Sequence, residues 1–156
     1  MNTVNVDAQE VELPSWSGSM SNFALKVLEQ IKRDNWELSI LLCGDKTITE
    51  LNAKYRNKCE PTDILSFELG EKIQDGENSI YLPGDIVISL DTLRENAKYF
   101  ETPEDEELRR LLIHGILHLD GMDHETLEET EPMLIFQEEI LKKLGSEQIT
   151  SSGELF

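Results

Sequence analysis

Residues 102–124 read TPEDEELRRLLIHGILHLDGMDH. The chain has three histidines, and all of them fall in the last eleven of these positions, as His114, His118 and His124. The stretch begins as a helix. Thr102 offers an N-cap and Pro103 a first helical residue, where a missing N–H does no harm. Glu104 to Glu107 set negative charge against the positive end of the helix dipole. Leu108, Leu111, Leu112, Ile116 and Leu119 recur at helical spacing and predict the buried face. His114 and His118 are four apart and therefore share another face. Gly121 stands where a left-handed glycine ends a helix, and the reversal it permits brings His124 back towards the other two. Three imidazoles meeting at one point predict a metal site, with three nitrogens on a tetrahedral zinc and the fourth position left for water. Asp120 and Asp123 are placed either to close that site, to hold a ring N–H from behind, or only to make the turn.

Working outward, helices and strands alternate through the first half of the chain. TVNVD near the start alternates like a strand. In SGSMSNFALKVLEQIKRDN, Phe23, Val27, Leu28 and Ile31 keep helical spacing, with serines available as caps. WELSILLCG reads as a second strand. In DKTITELNAKYRNK, Thr47 and Glu50 suggest a capping box, and Ile48, Leu51 and Tyr55 the buried stripe of a short helix. Asn52 and Arg56 share a different face of that helix. CEPTD is a turn, ILSFEL a strand, GEKIQDGENS a polar loop, and IYLPGDIVIS a strand bent or broken at Pro83-Gly84. LDTLRENAKYF and EPMLIFQEEILKKLG complete the helices. The pattern predicts one α/β (α+β) domain over 1–145, with about four strands in a mixed sheet and five or six helices, and a frayed tail over 146–156.

Composition narrows the class. The net charge is −18, and residues 1–60 carry seven Lys and Arg against nine Asp and Glu, residues 61–156 seven against 23. Such acidity argues against general nucleic-acid binding, so a polyanion would have to meet the less acidic half. Lys46, Lys54, Arg56 and Lys58 lie close in sequence there and could form a local positive strip. Two cysteines, Cys43 and Cys59, lack metal or disulfide spacing and read as free thiols of a reducing compartment. With no basic leader and no long apolar run, a cytoplasmic protein with no membrane partner is expected.

The histidine offsets resemble the metzincin signature H-E-x-x-H-x-x-G-x-x-H, with Gly121 in register. One position departs: Gly115 stands where the protease carries its general-base glutamate, so the peptidase reading lacks its central group. HGILHLDGMDH resembles more closely the H-G-x-L-H-L-x-G-x-D-H motif of the YbeY family, bacterial endoribonucleases specific for single strands. LNAKYRNKCEPTDILSFEL, PGDIVIS and MLIFQEEIL resemble further blocks of that family in the same order, so the likeness spans about residues 36–144.

The resemblance implies a zincin-like fold and one zinc ion held by His114, His118 and His124. It implies activity in rRNA processing, including maturation of the 16S rRNA 3′ end, and in ribosome quality control, with rRNA and the ribosome or its proteins as partners. It also marks Arg56 as catalytic, in keeping with the way a guanidinium fork holds phosphoryl oxygens. Thr62, Asp63 and Ser66 are placed near the same cleft or cap turns, and Asp85 is a candidate to orient a histidine. Two alternatives stay open: a zincin-type metallopeptidase, and a non-catalytic ribosome-assembly factor in which zinc serves folding.

Overall fold

The computed structural model describes residues 1–150. Nine elements follow in the order β1 (Thr3–Ala8), α1 (Ser17–Gln30), β2 (Glu37–Cys43), α2 (Asp45–Arg56), β3 (Ile64–Asp75), β4 (Asn78–Ser89), α3 (Leu90–Tyr99), α4 (Glu104–Leu119) and α5 (Pro132–Lys143). The sheet order is β1-β2-β4-β3. β1, β2 and β4 run parallel, and β3 lies antiparallel on β4 at the edge. This is the mixed four-stranded sheet with several helices that the sequence predicts.

Alternation along the strands assigns the two faces. Leu38, Ile40 and Leu42 of β2 and Ile86 and Ile88 of β4 face the main core, where α1, α4 and α5 contribute Phe23, Leu28, Leu112, Ile116 and Ile140. Cys43, Val87 and Leu65 point the other way, onto Ile48 of α2. Leu108, Leu111, Leu112, Ile116 and Leu119 are all buried, as the helical spacing requires. No helix among the described residues is long and apolar enough to cross a membrane.

Several local expectations are corrected. The polar run 70–79 is no loop: β3 and β4 continue through it as a hairpin turning at Gly76, whose φ is +64°. Asp75 pairs with Asn78, so Gly76 and Glu77 make the two-residue turn, and glycine at the first turn position suits a type II′ hairpin, which outweighs the polarity around it. Of the bend or break expected at Pro83-Gly84, the break does not occur: β4 runs through as one strand, with the ladder irregular there. The β3 ladder skips there from the Glu68–Gly84 pair to Glu71–Leu82, so Pro83 faces a bulge and its missing N–H costs no ladder bond. Gly84 has φ +139°, and a Cβ on it would lie 2.0 Å from the Phe67 carbonyl oxygen, so only glycine lets β4 pass the bulge.

The capping box of α2 does not form. Gly44 is the cap, and the free N–H of Thr47 donates instead to Glu10 Oε1 at 2.8 Å, while that of Asp45 donates to Asp91 Oδ2 at 2.9 Å. Tyr55 is exposed, set edge-on against Phe67. α4 begins one residue late, with Pro103 as its cap. The frayed tail is also corrected in its first part: Ile149 and Thr150 are buried, and both their N–H groups donate to Asp105 Oδ1, at 2.9 and 2.8 Å. Residues 151–156 lie outside the described residues.

Candidate metal centre

The end of α4 builds the centre. Gly121 adopts φ +94°. Its N–H donates to the His118 carbonyl, and the Met122 N–H reaches back to the Leu117 carbonyl, both at 3.0 Å. This pair of bonds is a Schellman motif, and Met122 seals it by packing on the main core. Asp123 then accepts the His124 N–H at 2.8 Å, which fixes the turn. His124 thereby returns to the helix, its ring centroid 5.2 Å from that of His114 and 5.3 Å from that of His118.

The ring nitrogens are sorted by their partners. His114 Nδ1 lies 2.7 Å from Gln137 Oε1, His118 Nδ1 3.1 Å from the Met122 carbonyl, and His124 Nδ1 2.8 Å from the Thr126 carbonyl. These oxygens only accept, so each Nδ1 carries the proton and each Nε2 presents a lone pair. One ligand atom from each ring lies within 4.8 Å of the others, and the Nε2 atoms of His114 and His118 stand 3.0 Å apart. Bonds of about 2.0–2.1 Å in a tetrahedron set two nitrogens about 3.4 Å apart. Two facing lone pairs at this distance repel unless a cation lies between them. The donor set therefore fits a metal ion. Burial, followed by the neighbouring rings, lowers the pKa of His114, and burial followed by His124 lowers that of His118. Both shifts favour the neutral imidazole that a metal requires.

A cleft of about 640 Å³ opens onto His114 and His118. Arg56, at the end of α2, lines the same cleft and donates through Nη2 to the Ser66 carbonyl at 3.2 Å. Its charge reaches His118 and helps to lower that pKa. Asn52 is buried and holds the loop after α2: its Nδ2 donates to the Glu60 carbonyl at 3.0 Å, and its own carbonyl accepts the Lys58 N–H at 3.3 Å. Arg56 and Lys58 are thus presented together, whereas Lys46 begins the helix and Lys54 rests on the Tyr55 ring. The predicted strip of four cations is reduced to two at the cleft.

Thr62 and Ser66 line the cleft. Asp63 ties the start of β3 to its surroundings, accepting from Thr62 Oγ1 at 3.4 Å and Asn96 Nδ2 at 3.3 Å. Asp85 orients none of the rings, whose Nδ1 partners are Gln137 and two main-chain carbonyls. Asp120 is turned away into an ion pair with Arg33 at 2.7 Å.

Gln137 is the functional residue that the sequence reading missed. It is 6% exposed on α5, and its Nε2 donates to Glu138 Oε2 at 3.1 Å. Glu138 in turn accepts from Arg110, which also pairs with Glu107 at 3.1 Å. A polar chain therefore backs His114. The trace of Gln137 in the sequence is its place in the block MLIFQEEIL, which carries the family resemblance but gives no sign of the histidine the amide meets. Gly115 proves to be a packing residue: a Cβ there would lie 2.9 Å from Ile64 Cδ1 and 3.1 Å from Ile86 Cδ1. A glutamate at that position would have to displace both.

Comparison with known proteins agrees with this geometry. A family model described as Endoribonuclease YbeY matches residues 3–145. A protein named Endoribonuclease YbeY from Treponema denticola is 46% identical over 132 residues, which cover 83% of this chain and 84% of that one. Another of that name from Borreliella burgdorferi is 47% identical over 129 residues, covering 78% and 83%. The solution structure of TM1509 from Thermotoga maritima superposes with a TM-score of 0.61 at 25% identity, covering 92% of this chain and 90% of that one. With the family model matching from the first strand to the end of the last helix, the chain belongs to the YbeY endoribonuclease family.

Proposed function

We propose that this chain is a zinc-dependent endoribonuclease that cuts single-stranded RNA in the cytoplasm, acting in rRNA maturation, including that of the 16S rRNA 3′ end, on or beside the ribosome. The observation that carries the proposal is that Arg56 and Lys58 line one cleft together with His114 and His118. Zinc, when bound by His114, His118 and His124, supplies a Lewis acid for a phosphoryl oxygen and lowers the pKa of water to about 7.

The chain's own residues do the rest. Gln137 and the Met122 and Thr126 carbonyls fix the three rings by their Nδ1 protons, so each ring presents its Nε2 to the site before loading. Arg56 exchanges its single bond to the Ser66 carbonyl for two to the phosphoryl oxygens, meeting charge as it develops. Lys58 adds a second positive charge to the wall that receives the backbone. The peptidase alternative is weakened by Gly115, a packing residue at the position where such chemistry needs a glutamate.

The test is cleavage of a labelled oligoribonucleotide, single-stranded or annealed to its complement. Cutting of the single strand alone, abolished by chelation and restored by zinc, is expected. Equal cutting of the duplex, or cutting indifferent to chelation, would overturn the proposal.

A further inference from the structure

Two further pockets continue the cleft along one side of the molecule. The first shares Glu68 and Gly121 with the cleft; the second, of about 460 Å³, shares Trp36, Tyr81 and Asp120 with the first. A continuous wall thus leads from the histidines over the end of α4 to the loop after α1 and the β3–β4 hairpin. At its far end stand Lys32, Arg33 and Lys72.

The charges there are arranged so that some remain free. Asp120 is neutralised by Arg33, through Nε at 2.7 Å and Nη2 at 3.2 Å. Asp34, the other carboxylate lining this pocket, pairs with the N-terminal ammonium at 2.7 Å. Lys32 and Lys72 are exposed and make no ion pair among the described residues. Lys32 is held out by a left-handed backbone, φ +58°. Tyr81 is half-buried, pairs with Lys72 across the β3–β4 ladder and lines the pocket with both lysines, its ring 5.2 Å from that of Trp36, which gives an aromatic floor. In a molecule of net charge −18, two unpaired lysines beside an aromatic ring, reached from the cleft along one wall, are a local reversal of sign. Cations following a backbone, with a ring for the bases, are what a single strand requires of its binder.

We infer that Lys32, Lys72 and Tyr81 form a second subsite that holds the substrate's phosphodiester backbone away from the cut. The inference rests on the endoribonuclease reading for the nature of the strand. It makes the enzyme prefer long single strands over short ones, because only a long strand spans from the histidines to the lysines.

The test compares the full-length, zinc-loaded parent with Lys32→Ala/Lys72→Ala, and with Lys142→Ala/Lys143→Ala, which removes the same charge from the exposed end of α5. Binding of a fluorescent single-stranded RNA is measured by anisotropy across a salt series, and cleavage of a long and a very short oligonucleotide is measured separately. The subsite variant is expected to bind the long RNA about tenfold more weakly. Its log–log salt slope falls by about 1.4, since each lost phosphate contact on a single strand removes about 0.7. It raises KM for the long substrate with kcat unchanged and leaves the short one unaffected. Binding equal to the parent's, an equal loss in the α5 variant, or no RNA binding by the parent would overturn the subsite. If binding falls as expected but the parent itself cleaves nothing, the subsite stands and the catalytic reading fails.

Discussion

Replacing Gln137 with leucine would delete the acceptor behind His114 while nearly keeping the side chain's volume. The amide is 6% exposed, and its Oε1 sits 2.7 Å from His114 Nδ1. Leucine would leave a largely buried Nδ1–H without a partner, at about 1–3 kcal/mol. The cost falls on the loaded state, where the ring must keep Nε2 on the metal. At about 1.4 kcal/mol per tenfold, zinc binding weakens by about 10- to 100-fold. Competition with a chromophoric chelator near neutral pH would measure this, with melting of the metal-free protein as the control for packing. Gln137→Glu keeps an acceptor and is expected to restore affinity. Unchanged affinity in Gln137→Leu, or equal loss in both variants, would refute the claim that α5 holds this ring.

Three further outcomes follow from the same structure. Burial and neighbouring rings lower the pKa of His114 and His118, so as pH falls below the unfolded value near 6.5 the unfolded chain takes up protons that the folded site resists. Stability of the metal-free protein is therefore complete above that value and lost below it, and a pH series of denaturant midpoints flat between about 7 and 5 would contradict this. Asp105→Ala strips Arg109 of its buried carboxylate, at 2.8 Å, and frees the Ile149 and Thr150 amides; it should cost about 3–5 kcal/mol, read as a fall in Tm of about 10 °C. Gly84→Ala forces a Cβ to within 2.0 Å of the Phe67 carbonyl oxygen, so it should distort the β3–β4 hairpin and lower Tm; an unchanged Tm would show that the bulge yields.

The candidate metal centre was legible because its parts are local. Two ligands one helical turn apart, a stop glycine and a third ligand after the turn fit within eleven residues, and each obeys a short-range rule. What escaped depends on distant partners. Gln137 reaches His114 across 23 positions, and Glu10 caps α2 from 37 positions away, so no local pattern marks either. The hairpin over 70–79 was hidden for a different reason: Glu71, Lys72, Ile73 and Gln74 are all exposed, so neither face carries the alternation that betrays a half-buried strand. Arg56 was singled out by its resemblance to a motif; its bond to the Ser66 carbonyl and its place in the histidines' cleft come from the packing of α2 beside β3.

The central claim is that the histidines hold the metal while Arg56 acts on the substrate. One measurement separates these roles: cleavage of an rRNA precursor by Arg56→Ala and His114→Ala, with the zinc content of each protein determined alongside. Both variants should lose cleavage, Arg56→Ala by about 10²–10³-fold in kcat, and only His114→Ala should lose zinc. An Arg56→Ala protein that cuts at the parental rate, or a His114→Ala protein that cuts without its metal, would contradict the account.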